Sequence, residues 1–288
     1  MNDPLSPLTR LVTEPLVRSA LLEDLGLAGD LTSESVVPHD THHTFEIVAR
    51  ESGTLAGLDL AALAFELVGP RATFTAYLGD GDRLRAGDAV ARVSGPARSL
   101  LAAERVALNF LGHLCGVATA TATLVDAVAH TRTRVCCTRK TTPGLRAVEK
   151  HAVRAGGGVN HRFGLDDAVL VKDNHLAVAG SVTEAVRRVR ARVGHLVAIE
   201  VEVDSLEQLD ELLRDPVHAV LLDNMSPQTT AEAVRMVGGR MVTEASGRIT
   251  AETAPALAEA GVDLVSAGWI THSAPVLDLG LDATSTSG

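Results

Sequence analysis

Aromatic residues are scarce in this sequence: one Trp, one Tyr and five Phe make up 2% of 288 residues. A core without rings has to be built from Ala, Val and Leu, which suits helices packed on a parallel sheet better than a β-sandwich with aromatic layers. Cysteine is rare and odd in number (Cys115, Cys136, Cys137). Cys136 and Cys137, adjacent in an extended run, point to opposite faces, which argues against a metal cluster and suits a reduced cytoplasm. No apolar run approaches the roughly 20 residues needed to span a bilayer. The stretch Met1–Arg10 has two prolines and an Asp but neither a basic start nor an apolar segment, so it does not read as a signal peptide. Bases are outnumbered by acids, 26 to 36, and the formal charge of −10 excludes nucleic acid or an anionic membrane as the main partner. What is abundant is hydrophobic residue, 46% against 22% charged, which allows a sizeable core and excludes wholesale disorder.

Lysine is almost missing as well, and its placement is informative. Lys140, Lys150 and Lys172 are the only three, and all fall within one short stretch. Between His130 and His175 nine bases face four acids (Glu149, Asp166, Asp167, Asp173), and four histidines lie there too. A basic island in an acidic chain, interrupting apolar segments instead of lining one helix face, points to a pocket for a small polyanion.

From Arg134 onward short apolar runs alternate with helical patterns. Strands are expected at Arg134–Thr138, Ala168–Lys172, Leu196–Val203, Ala219–Asn224, Arg240–Ala245 and Val262–Ala267. Helices are expected at Gly144–Ala155, Val182–Val193, Leu206–Arg214, Pro227–Val237 and Ala251–Ala260. Ser181, Ser205 and Ser226–Pro227 are helix-start signals, and Gly238 and Gly261 are stops. Repetition of strand, loop and helix predicts a parallel α/β fold. Polar residues gather at the C-terminal strand ends: Thr138, Arg139 and Lys140, then Lys172, Glu202, Asp223, Glu244–Gly247 and Ser266–Gly268. Those ends converge in a barrel and not in an open doubly wound sheet, so an incomplete parallel α/β barrel is preferred, with six strands in place of eight.

The first 110 or so residues read as a mixed α+β layer. A helix is expected over Thr13–Gly26, capped by Thr13 with Pro15 in its first turn. A second helix is expected over Asp59–Val68, with extended runs at Thr44–Arg50, Ala72–Leu78 and Ala89–Ser94. Ser99–Ala129 reads as a long helix, and the tail Pro275–Asp282 as a strand returning to this layer. The turns around Gly79–Gly81 and Ala86–Asp88 resemble half of a lipoyl- or biotinyl-carrier motif, but no Lys precedes residue 140, which excludes covalent carriage. The expected domains are residues 1–113 joined by 270–288, and residues 114–269.

Arg139, Lys140, His161, Arg162 and Lys172 form a cationic set that no core tolerates unpaired; Arg offers a planar fork to carboxylate or phosphate, Lys a point charge. Glu202 and Asp223 could hold Mg²⁺ on a diphosphate and face a developing positive charge, or could simply pair with nearby bases. Glu200 shares a strand face with Glu202, so either could face a substrate. Ala245-Ser246-Gly247 and Ser266-Ala267-Gly268 are small-residue turns able to cradle phosphate. His42, His43, His151 and His175 read as structural.

Taken together, the run Thr138–Arg146, Gly156-Gly157-Gly158, Asn160-His161-Arg162, Lys172-Asp173-Asn174-His175, Glu200-Val201-Glu202-Val203, Leu222-Asp223-Asn224-Met225 and Glu244-Ala245-Ser246-Gly247 resembles the quinolinate phosphoribosyltransferases. Glu23–Gly26, Gly29–Thr32 and Glu104-Arg105 with Asn109 extend the resemblance over nearly the whole chain. It implies an N-terminal α/β sandwich beside an incomplete barrel. The implied reaction joins quinolinate to 5-phosphoribosyl 1-diphosphate with Mg²⁺, giving nicotinate mononucleotide, CO₂ and diphosphate for NAD synthesis. It further implies that Arg105, Arg139, His161, Arg162 and Lys172 hold quinolinate, with Thr138 also among the substrate-binding residues. Lys140, Glu202, Asp223 and the two small-residue turns would hold the sugar donor and metal, with Lys140, Glu202 and Asp223 as the catalytic residues. Arg105 would reach a partner subunit's site in a homodimer or a multiple of it. Two other readings stand beside this one: a Schiff-base lyase using Lys172 or Lys140, and a non-catalytic anion-binding relative.

Overall fold

A computed structural model of the chain describes residues 5–284; residues 1–4 of the stretch Met1–Arg10, and residues 285–288, lie outside the described residues. The elements begin with α1 (Arg10–Leu25), α2 (Leu31–Val36), β1 (His42–Ala49), β2 (Gly53–Thr54), α3 (Leu58–Val68), β3 (Thr73–Ala76), β4 (Arg83–Leu84), β5 (Ala89–Pro96) and α4 (Ala97–Val128). They continue with β6 (Arg134–Cys136), α5 (Arg146–Ala155), β7 (Val169–Val171), α6 (Asp173–Ala179), α7 (Val182–Arg190), β8 (Ile199–Val203) and α8 (Leu206–Leu212). The last are β9 (Ala219–Asp223), α9 (Pro227–Val237), β10 (Val242–Ser246), α10 (Ala254–Glu259), β11 (Leu264–Ser266), α11 (Trp269–His272) and β12 (Leu279–Ala283). The chain divides into two compact units, residues 5–122, 141–157 and 270–284 in one, residues 123–140 and 158–269 in the other.

In the first unit four strands form an antiparallel sheet in the order β12-β1-β5-β3. Phe45, Ile47 and Ala49 alternate inward along β1 and are buried, the two-residue period of a half-buried strand. The tail returns as expected: β12 pairs with β1, Ile47 opposite Leu281. Helix α1 begins earlier than Thr13. That residue does not cap it but sits inside, 3% exposed, because Thr13, Val17 and Leu21 recur every four residues on the buried stripe. Thr9 occupies the cap position without a side-chain bond, and Pro15 lies within the helix.

The expectation that no segment is long and apolar enough to cross a membrane needs correcting. Helix α4 passes that test of length and composition, since small Ala, Gly and Thr residues hide its apolar character from a search for continuous runs. Of its most apolar stretch, 67% is buried inside the protein, as befits a core helix. Gly112 and Gly116, one turn apart on α4, let the tail cross at close range. A Cβ at Gly116 would lie 2.0 Å from the Pro275 carbonyl oxygen, and one at Gly112 2.9 Å from that of Leu277. The Leu277 N–H donates to the Gly112 carbonyl at 3.0 Å.

The second unit carries the six expected parallel strands, in the order β6-β11-β10-β9-β8-β7. That is the chain order written round a circle: β11 turns back to pair with β6, and only β6 and β7 remain unpaired with each other. The sheet is therefore an incomplete barrel. Val159 forms a parallel bridge to Cys136 along the open side of β6. Val201, Val203, Val220 and Leu222 are almost wholly buried, the pattern of strands covered on both faces. The three expected caps form: the hydroxyls of Ser181, Ser205 and Ser226 accept from the N–H groups of Glu184, Gln208 and Thr229. Helix α6 has no counterpart among the expected elements, and none of its residues is buried.

Candidate active site

The strand tips of the second unit carry the chemistry. Thr138, Arg139, Lys140, His161, Arg162 and Lys172 line one cavity of ≈ 310 Å³ with Ser246 and Ser266, and Glu244 and two leucines complete it. Glu202 and Asp223 line a neighbouring cavity of ≈ 480 Å³, where Asp173, Asp204 and Glu211 add three more acids. The cations and the two acids thus occupy adjoining cavities, bridged by one ion pair: Lys172 Nζ donates to Glu202 Oε2 at 2.5 Å. Ala245 and Ala267 are buried in their turns. With Gly247 and Gly268 they flank the two serines without lining either cavity. Arg105 stands exposed on α4, in the first unit.

The cationic cavity is built for a partner that the protein does not itself provide. The Nε atoms of Arg139 and Arg162 are buried without a hydrogen-bond partner, a costly condition for polar groups. One arm of Arg162 is fixed by the Ala168 carbonyl at 2.7 Å. Burial and the charge of Arg139 push the Arg162 guanidinium below its ordinary value, as expected for like charges held together. A planar dianion relieves both conditions.

The acidic cavity is held in shape by glycine. Gly247 has φ +105°, and a Cβ there would meet Asn224 Oδ1 at 2.2 Å. Asn224, itself left-handed at φ 54°, donates from its amide to Asp223 Oδ2 at 2.6 Å. The small-residue turn after β10 therefore seats the residue that orients Asp223. Hard carboxylate oxygens on the adjacent strands β8 and β9 fit Mg²⁺, which prefers oxygen ligands and few protein groups.

Glu200 and Glu202 both point inward, at different depths. Glu202 sits at the mouth with Lys172, whereas Glu200 accepts from His161 Nε2 at 2.8 Å, with Glu244 Oε2 3.9 Å from the same nitrogen. Sequence reasoning places Glu244 at a strand end but assigns it no part in the site. Its signal is an acid between Thr243 and Ala245, which are both buried. Two of the histidines expected to be structural have structural partners: His151 pairs with Asp80 at 2.9 Å, and His175 Nδ1 accepts the Lys172 N–H at the start of α6.

Known proteins share this architecture and sequence. Residues 30–115 match the quinolinate phosphoribosyl transferase N-terminal domain and residues 117–282 its C-terminal domain. A nicotinate-nucleotide pyrophosphorylase [carboxylating] of Mycobacterium leprae is 46% identical over 273 residues, covering 92% of this chain and 95% of that protein. A probable nicotinate-nucleotide pyrophosphorylase [carboxylating] of Bacillus subtilis is 42% identical over 277 residues, 96% of this chain and 95% of the relative. The crystal structure of NadC from Streptococcus pyogenes superposes with a TM-score of 0.93 at 41% identity, covering 97% of this chain and all of that one.

Proposed function

The chain belongs to the quinolinate phosphoribosyltransferase family, and we propose that it is a decarboxylating enzyme of this kind in NAD biosynthesis, using Mg²⁺ and working as a homodimer. The observation that carries the reading is the pair of buried, unpartnered donors on Arg139 and Arg162. Two guanidiniums and two lysines around one cavity match a pyridine bearing two carboxylates. Held there, the ring nitrogen attacks the anomeric carbon of 5-phosphoribosyl 1-diphosphate as diphosphate departs. The nitrogen is then cationic, and its charge stabilises the carbanion left on the adjacent carbon when the carboxylate there leaves as CO₂; that carbanion takes up a proton to give nicotinate mononucleotide. Arg139 and Arg162 serve by orienting the substrate and keeping water out, since gripping the departing carboxylate too tightly would favour the ground state.

Glu202 and Asp223 would hold Mg²⁺, which when bound neutralises diphosphate charge. Lys140 and the turns Ala245-Ser246-Gly247 and Ser266-Ala267-Gly268 would hold the sugar donor with them. Arg105, exposed on its helix, suits a role in the partner subunit's cavity. The three cysteines are buried and none forms a disulfide, which suits a cytoplasmic setting.

The Schiff-base reading is weakened by the Lys172 amine, which is engaged with Glu202 at 2.5 Å. The deciding experiment incubates the protein with quinolinate, phosphoribosyl diphosphate and Mg²⁺ and measures nicotinate mononucleotide and CO₂. Arg162→Ala and Lys140→Ala are expected to lose at least about a hundredfold in turnover; wild-type rates in both would end the assignment.

A further inference from the structure

Beneath the cationic wall lies an acid pair for which the reaction above has no use. Glu200 and Glu244 come from β8 and β10, either side of β9, and meet at His161, which arrives on the loop before β7. One ligand-capable atom of each of the three lies within 4.8 Å of the others. Glu244 is 2% exposed and Glu200 9%. A divalent ion is a poor occupant, because Arg139, Arg162 and Lys172 already crowd the cavity with positive charge. A proton suits the site better.

We propose that Glu200 and Glu244 are positioning residues for His161, holding its imidazole as a cation at the cavity wall, and that Glu244 sets the pH range over which the cavity accepts a dianionic ring. The inference rests on the quinolinate reading above. Burial, and then the charge of Glu200, push the Glu244 carboxyl up to about 7, against the pull of His161 and Lys172. The other groups facing the cluster are Arg139 and Lys140 after β6, Arg162 beside His161, and the hydroxyls of Ser246 and Ser266. Below that pH Glu244 is neutral. Above it, a second negative charge lies under the incoming carboxylates and binding weakens.

Steady-state kinetics across this range test the idea. The unsubstituted protein should show a KM for quinolinate that rises about tenfold between about pH 6 and about pH 8.5, with kcat changing far less. Glu244→Gln, which mimics the protonated acid, should match the parent at low pH and remain flat. Glu200→Gln should move the rise in KM to lower pH, because the charge that helps push Glu244 up is gone. A Glu244→Gln variant with the parent's rise in KM, or a parent with a flat profile, overturns the proposal. Should Glu244→Gln fail to fold, calorimetry of quinolinate binding to the parent in two buffers of different ionisation enthalpy answers the same question. Proton uptake near pH 8 supports it, and none refutes it. Calorimetry needs no turnover, so a protein that binds quinolinate with proton uptake but forms no product contradicts the transferase assignment and leaves this inference standing.

Discussion

Lys172 Nζ lies 2.5 Å from Glu202 Oε2, across the tips of the paired strands β7 and β8. The lysine is 46% exposed and the glutamate 13%, so the pair is a contact at a doorway more than a structural staple. Each member lines a different cavity, and the bond links the two.

The first expectation follows from that bond. Lys172→Met should leave stability almost unchanged, within about 1 kcal/mol, because ion pairs with this much solvent contribute little. Quinolinate kcat/KM should fall by about two orders of magnitude. Thermal melting and steady-state rates, measured side by side, separate the two effects.

Gly247→Ala should disable the acidic cavity without touching a charged group. The added Cβ strikes Asn224 2.2 Å away, at a backbone angle that alanine resists. Asp223 then loses the amide that orients it. We expect the Mg²⁺ concentration for half-maximal rate to rise by about tenfold or more, as a metal titration would show.

Glu244→Gln should also stabilise the protein, with a defined sign. The folded carboxyl titrates at about 7, above its usual value. In the folded state the group therefore keeps its proton after the unfolded chain has lost it, and its contribution to stability falls as pH rises through that window. Glutamine has no proton to lose. The variant's advantage should be absent near pH 4 and reach on the order of 2 kcal/mol by about pH 8, read from denaturant midpoints at the two pH values. Equal stability at both would show that Glu244 titrates normally.

Gly116→Ala tests the crossing of the tail over α4. A methyl group 2.0 Å from the Pro275 carbonyl cannot be accommodated without moving backbone. A loss of about 2 kcal/mol or more is expected, seen as a lower melting temperature. Gly87→Ala is a useful control: its Cβ would meet nothing within 4 Å, and only its φ of +92° resists the change.

Much of this is readable from residue order alone. Most of the six parallel strands announce themselves as short Val-, Leu- and Ala-rich runs covered on both faces, and serines at helix starts mark the loops between them. Helix α6 is illegible for the opposite reason: it buries nothing, so no apolar stripe betrays it. Thr13 misleads because a hydroxyl before a proline mimics a cap, whereas the four-residue spacing to Val17 and Leu21 draws it inward. The cations are legible as a group through the clustering of lysine. Glu244 is not, since its importance depends on His161, a residue far away along the chain. In the same way Gly112 and Gly116 signal that something passes close by, but only the fold reveals that it is the protein's own tail.

The seam between β6 and β7 has a mechanical consequence. It is patched by Val159, whose N–H donates to Val135 and whose carbonyl receives the Cys137 N–H, and His161 and Arg162 follow directly on that patch. A molecule that grips Arg162 and Arg139 together would therefore tie the loop that patches the seam to the chain just after β6. Occupying the cavity sutures the barrel, and its most vulnerable edge should exchange amide hydrogens more slowly in the liganded protein.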